Sequence, residues 1–236
     1  MNHEELHGIH RQLLSLERAV RHTRLSIGSL LTDVNSGNRD FGLRAMPSGL
    51  ASLLEARRNL SARSVAPFES FAPGVRVTFP SGGRGNQIAV TQFCFDAVPG
   101  VSEFASTVGI DVNLDKKDPA SWVNLETDLD IDRMSDAGSL RLSLAVSFRS
   151  GPNIDLGRYG LALRAHAGGD HHDYFVRKFP AFEVPIEVTY EIQTEDYAPI
   201  PWRDYERVSV VVDLPAGRAM SYRLYLSHFE VQSHDR

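Results

Sequence analysis

Two burial rhythms divide this chain of 236 residues, and together they leave few folds open. Up to about Val34, apolar side chains return every seven residues. From about Val75 onward they alternate by two. A sevenfold rhythm keeps one stripe of an α-helix apolar, and a twofold rhythm keeps one face of a β-strand apolar. The chain is therefore read as a helical segment followed by a β-domain.

Leu6, Leu13, Val20, Ile27 and Val34 are spaced by seven, and so are Ile9, Leu16, Thr23 and Leu30. This a/d pattern predicts a helix over residues 4–35, with Glu17 and Arg24 at flanking e positions. Asn35, Gly37 and Asn38 suit its end. Leu14 and Leu31 widen the stripe, and Gly8 and Gly28 weaken an isolated helix, so a packing partner is needed. Two partners fit. One is another copy of the chain, giving a homo-oligomer through residues 4–35. The other is a second helix over residues 48–62, opened by Pro47-Ser48 and carrying Leu50, Leu53, Leu54 and Leu60, folded back as a hairpin. Residues 1–62 are taken as this helical segment, and 63–73, with Pro67 and Pro73, as a linker.

Residues 74–236 predict about nine strands. The clearest is Leu140, Leu142, Leu144, Val146 and Phe148 alternating with polar or small residues. Tyr159–Ala165, Ile186–Ile192, Val208–Leu214 and Tyr222–Val231 behave alike, and 74–79, 108–114, 121–131 and 173–179 are further strands. Phase jumps near Ser227-His228, and between Ile88/Val90 and Phe93/Phe95, predict β-bulges. Glycine- and proline-containing turns separate the strands, and no long helical period interrupts them. The expected fold is mainly β: a two-sheet antiparallel jelly-roll sandwich behind the helical segment.

Composition narrows function by exclusion. The 25 basic and 30 acidic residues give a net charge of −5, without the basic footprint of a nucleic-acid binder. No stretch approaches the ~18 apolar residues of a membrane span, so no membrane insertion is expected. The first residues lack the basic stretch and apolar core of a signal peptide, which predicts synthesis in the cytoplasm, with release or a place on a particle surface left open. The single cysteine, Cys94, excludes an intramolecular disulfide and suits a buried thiol.

The order Ser121-Trp122-Val123-Asn124-Leu125, the apolar strand 140–148, Tyr159–Arg164 and the closing pair 206–215 and 223–231 resembles the galactose-binding-like jelly rolls that include many carbohydrate-binding modules. The resemblance covers about residues 74–236. It implies a glycan as partner, an aromatic sugar platform and a possible structural calcium. A heptad helix ahead of a jelly roll is also similar, in architecture only, to trimeric fibre and spike proteins of phage-like particles.

Several residue clusters bear on chemistry. Asp128, Asp130 and Asp132 would share one face of a strand, but Arg133 and Ser139 stand where an EF-hand needs Gly and Glu. His171, His172, Asp173 and Tyr174 follow a Gly168-Gly169 turn. They form a polar loop open to ligand contact, although adjacent histidines point opposite ways in an extended chain. Tyr197, Trp202 and Tyr205, stiffened by Pro199 and Pro201 and joined by Arg203 and Asp204, suit sugar recognition. Packing of Trp202 at the sandwich end competes with that use. Trp122 is expected in the core, and Glu187 and Glu191 on a solvated face. No P-loop and no G-x-S-x-G elbow is present. No catalytic residue is assigned. The expected function is non-catalytic glycan binding, multiplied by the helix. The alternatives are a fibre or head spike, and a polysaccharide-modifying enzyme using His171, His172, Tyr174 and Arg164.

Overall fold

The computed structural model describes residues 43–56, 59–82, 85–95, 105–151 and 154–235. The heptad segment 4–35, and the oligomer expected from it, lie outside the described residues.

The alternating segments form strands that pair into two antiparallel sheets. In chain order the elements are β1 (Leu43–Ala45), α1 (Gly49–Glu55), β2 (Leu60–Ser64), β3 (Ser70–Ala72), β4 (Val75–Thr78), β5 (Gln87–Phe95), β6 (Ala105–Leu114) and β7 (Val123–Leu129). There follow α2 (Ile131–Asp136), β8 (Ala137–Ser150), β9 (Arg158–Ala167), β10 (Asp170–Pro180), β11 (Ile186–Ile192), α3 (Thr194–Tyr197), a 3-10 turn (Trp202–Asp204), β12 (Arg207–Leu214) and β13 (Met220–Asp235). The first sheet has the order β11-β8-β13-β6-β5-β2, with β1 on β13. The second has the order β10-β9-β12-β7-β4-β3. The fold is a jelly-roll β-sandwich.

The apolar face of each strand fills the space between the sheets. Leu140, Leu142, Leu144, Val146 and Phe148 are buried from the first sheet, and Tyr159, Leu161, Leu163, Val208, Val210 and Val212 from the second. The Phe148 ring meets Tyr159 at 5.4 Å and Tyr222 at 6.1 Å, bridging the layers. Full burial of such a side chain contributes about 1.5–3 kcal/mol, so the alternation drives the fold.

Several expectations are corrected. The helix predicted over 48–62 stops at Glu55. Ser48 caps it, accepting from the Ala51 N–H at 3.2 Å, and Leu50 is fully buried in the sandwich core. Leu60 is not on its stripe: it stands 41% exposed in β2. The stretch 63–73 is not a free linker, because β2 joins the first sheet and β3 the second. The sandwich therefore takes in residues from Leu43, not from 74. The bulge near Ser227 is present, as a register shift between Leu226 and His228 against β8. The one expected in β5 is absent from its pairing with β6, which runs unbroken from Gln87↔Asn113 to Phe95↔Ala105. There the inward position falls to Gln92, whose amide donates to the Leu53 carbonyl at 2.6 Å and Ser106 Oγ at 2.7 Å. A hydrogen-bonded polar residue had broken the apolar pattern without breaking the strand.

Candidate functional site

The strands that send valines and leucines into the core send a different set outward from the second sheet. On β7 these are Asn124, Glu126 and Asp128, and on β12 they are Arg207, Ser209, Val211 and Asp213. On β9 they are Gly160, Ala162, Arg164 and His166, and on β4 they are Arg76 and Thr78. Register lines them up across the sheet. Arg76, Glu126, Val211 and Ala162 form one row. Asp128, Ser209, Arg164 and Asp173 form the next, and Arg207, His166 and His171 another. All but the fully buried Ser209 line an open groove of about 960 Å³, with Trp122 and Phe68 at one side and Val176 at the other.

Ion pairs stiffen the groove floor. Arg164 grips Asp173 with two hydrogen bonds (2.6 and 2.8 Å) and donates to Glu126 Oε1 at 2.8 Å, which also accepts from Thr78 at 3.0 Å. Arg76 pairs with Asp128 Oδ2. With its amide turned to satisfy both neighbours, Asn124 donates to Asp213 at 3.2 Å and accepts from Arg164 at 2.9 Å. Glu126 is only 2% exposed, so removing Arg164 would strand a buried charge.

Against this satisfied lattice stands a short line of unpartnered polar atoms. Glu126 Oε2, Asp128 Oδ1, Arg207 Nε and Ser209 Oγ are buried and make no hydrogen bond within the protein. The Arg207 guanidinium lies 3.9 Å from Glu126 Oε2 and 3.7 Å from Asp128 Oδ1, near enough for attraction and too far for a hydrogen bond. Buried polar atoms are rarely left this way, and here four share one floor.

Burial and charge set the protonation of the floor. Burial raises the Asp128 carboxyl against the pull of Arg76 and Arg207. It raises Asp213 likewise, against Lys178 and Arg164. Burial also works to raise Asp173, but the Arg164 guanidinium outweighs it and holds that carboxyl below its ordinary value. His166 is pushed down to about 4, by burial first and then by Arg207. A neutral ring is what its contact with Arg207 requires, since the guanidinium donates to a ring nitrogen at 2.8 Å.

The aromatic loop read from sequence is not this site. Tyr197 is fully buried and its hydroxyl donates to the Met134 carbonyl at 2.5 Å. Trp202 is 1% exposed, packed on Tyr197 at 5.1 Å and Tyr174 at 5.5 Å. Neither ring is available to stack on a ligand, so their expected role as a platform is overturned: they close one end of the sandwich. Tyr205 is half-buried and bonds Tyr174 hydroxyl to hydroxyl at 2.5 Å. Arg203 pairs with Asp136 at 2.9 Å on the surface, and Asp204 is exposed, beside a depression of about 380 Å³.

The polar loop expected at 170–174 is the start of strand β10, and its residues part company. His171 and Asp173 line the groove. His172 turns away, its ring 4.4 Å from Tyr174. The enzyme candidates thus do not converge, and Arg164 is already committed to two carboxylates. The three aspartates do not share a strand face: Asp128 lies one residue before the end of β7, in the groove, while Asp130 caps α2 by accepting from the N–H groups of Asp132 and Arg133. Among the described residues, no cluster of three or more His, Cys, Asp or Glu is placed to hold a metal ion.

Trp122 is the residue most misplaced by sequence. It precedes β7 and is partly buried at the groove, not in the core. Arg76, Glu126, Arg207, His166 and Phe68 were not singled out at all. The alternation around Val123 and Val208 marks the outward direction of Glu126 and Arg207, and Phe68 lies in a turn with no alternation to mark it.

No protein-family model matches the chain, and no curated protein is significantly similar to it. Among solved structures, it is similar to the xylan-binding domain of a family 22 carbohydrate-binding module, with 10% identity, a TM-score of 0.39, and coverage of 73% of this chain and 94% of that one. The xylan-binding family 22 module of Paenibacillus barcinonensis Xyn10C gives 11% identity and a TM-score of 0.37, covering 76% and 96% of the two chains. The family 11 module of Clostridium thermocellum, in complex with a β-1,3-1,4-mixed-linked tetrasaccharide, gives 11% and 0.37, covering 74% and 96%. The fold rests on the strand pairing of this chain.

Proposed function

We propose that this protein binds a glycan chain, without transforming it, in the groove on the outer face of the second sheet. The observation that carries the reading is a groove in which charged side chains that reach its surface, Arg207, Asp173 and Asp128, lie beside two accessible aromatic rings. A sugar ring needs both: C–H faces that pack on aromatics, and hydroxyls that donate and accept at once. The Asp128 and Asp173 carboxylates, 29% and 32% exposed, are acceptors, and the Arg207 guanidinium, 38% exposed, is a donor.

The heptads of residues 6–34 support a multivalent form, in which linked copies raise avidity at weak sites without new contacts. The same oligomer suits a fibre or head spike that binds cell-surface polysaccharide, a reading that differs in location and not in groove chemistry.

The test is retention of the full chain in native gels cast with soluble xylan, mixed-linkage β-glucan, polygalacturonate or hyaluronate, followed by calorimetric titration. The reading expects retention by at least one polymer and its loss in Trp122→Ala. Equal migration in all four gels, or binding untouched by Trp122→Ala, would remove it. Light scattering decides the oligomer: a defined oligomer that falls to monomer in Leu13→Asp/Leu16→Asp is expected, and a monomeric wild type would contradict it.

A further inference from the structure

Two non-glycine residues among those described hold a left-handed backbone, Phe68 (φ 63°) and Phe175 (φ 57°), and they stand at opposite sides of the groove. Phe68 lines it directly, and Phe175 precedes Val176, which lines the other side. In this region the β-carbon crowds the following carbonyl, so something must hold each residue there.

For Phe175 the compensation is internal. It sits in the bulge where β10 slips register against β9, and its ring is partly buried against the core, 6.1 Å from Tyr174. Phe68 has no such compensation. It is 58% exposed, and its ring meets Trp122 edge-on, at 5.9 Å and 65°.

The turn around it makes the contrast sharper. Ala66-Pro67-Phe68-Glu69 closes with the Glu69 N–H donating to the Ala66 carbonyl at 3.1 Å. Proline at the second position and positive φ at the third are the signature of a type II turn, which favours glycine where Phe68 stands. The Glu69 carboxylate locks the loop, accepting from the Ala66 N–H at 2.8 Å and from Arg63 at 2.5 Å. Folding alone would be served better by a glycine at this position than by a large, exposed, strained aromatic.

We infer that Phe68 and Trp122 form a two-walled aromatic subsite for one sugar ring of the bound glycan, and that Glu69, with Arg63, is the positioning residue that holds Phe68 upright. This rests on the groove reading and assigns its aromatic end. One wall packs the flat C–H face of the ring while the other, turned by 65°, meets its edge. The ion-pair floor then reads hydroxyls further along.

The experiment compares wild type with Phe68→Gly, Phe68→Tyr and Glu69→Ala, all in the full chain, by calorimetric titration with whichever of the four polymers above is retained best, and by thermal melting. Phe68→Gly is expected to weaken binding about tenfold, as loss of an aromatic contact does, while the melting temperature holds or rises because glycine suits the turn. Phe68→Tyr should bind within about twofold of wild type. Glu69→Ala should weaken binding although Glu69 is not among the groove-lining residues. Wild-type affinity in Phe68→Gly would overturn the subsite and leave the groove standing. A melting temperature that falls along with affinity would overturn it too, by making Phe68 a packing residue. A wild type that binds none of the polymers would overturn the groove reading and this subsite together.

Discussion

The groove on the second sheet and the Tyr197–Tyr205 end of the sandwich are built from the same kinds of residue. Each gathers aromatic rings beside arginine–aspartate pairs. At the sandwich end the rings are turned inward: Trp202 and Tyr197 have almost no exposed surface, and the Tyr197 hydroxyl is spent on the Met134 carbonyl. In the groove the rings stay accessible, and four polar atoms on the floor have no partner within the protein. Residue type does not separate a cap from a binding surface. What separates them is whether the rings are turned into the core or left at the surface of a groove.

Substitutions can break that distinction or sharpen it. The largest effect is expected from Trp202→Ala, which empties a fully packed position and should destabilise the fold by about 3–5 kcal/mol in chemical denaturation. Glycan affinity, measured on the folded fraction, should be unchanged. A loss of affinity larger than the loss of folded protein would return the cap to the list of binding surfaces.

Arg164→Met comes next and should damage both properties. It leaves Glu126 buried without its main partner and should cost about 3 kcal/mol. It also frees Asp173 and should misplace the floor, weakening binding. Trp122→Ala reverses the pattern of Trp202→Ala: stability should change by about 1 kcal/mol or less, while the dissociation constant rises about tenfold. Equal behaviour of the two tryptophan variants would erase the comparison.

A further effect concerns pH. His166 has a folded value of about 4, below the 6.5 expected of an unperturbed histidine. Its unfolded form therefore binds more protons between those values, and stability rises with pH across that window. The contribution is complete above about 6.5 and is lost as pH falls towards 4. Asp128 and Asp213, both raised, act in the opposite sense as pH falls towards the carboxylate range, while Asp173, lowered, adds to the loss below it. Melting curves of His166→Gln against wild type between pH 4.5 and 7 should show the shallower slope in the variant. An unchanged slope would mean that the ring is not held neutral by burial and Arg207.

Much of the fold was legible because burial has a period. The strands from Val75 onward follow their alternation, and even the bulge at Leu226/His228 shows in the phase of Tyr222, Leu224 and Leu226 against Phe229 and Val231. The edges were less legible. Leu60 sits in a short strand whose partner, β5, lies far along the chain, and Phe71 in a three-residue strand too short to show a period, so local pattern gave them to a helix and a linker. The site was hardest to read. Its floor residues appear in sequence as the ordinary polar half of each strand, and only the pairing of β4, β7, β12, β9 and β10 brings Arg76, Glu126, Arg207 and Asp173 together. Gly168-Gly169-Asp170-His171 drew attention for composition, and half of it does face the groove. Tyr197–Tyr205 drew attention for the same reason and faces the core.

The chain has two tryptophans, one in each of the regions compared, and this makes the central claim directly measurable. Trp122→Phe and Trp202→Phe leave one indole each, and both proteins can be titrated with the retained polymer while tryptophan emission is followed. Binding in the groove predicts a saturable change in emission from Trp122 alone, present in Trp202→Phe and absent in Trp122→Phe. A change that follows Trp202 instead would place the ligand at the sandwich end and contradict the account.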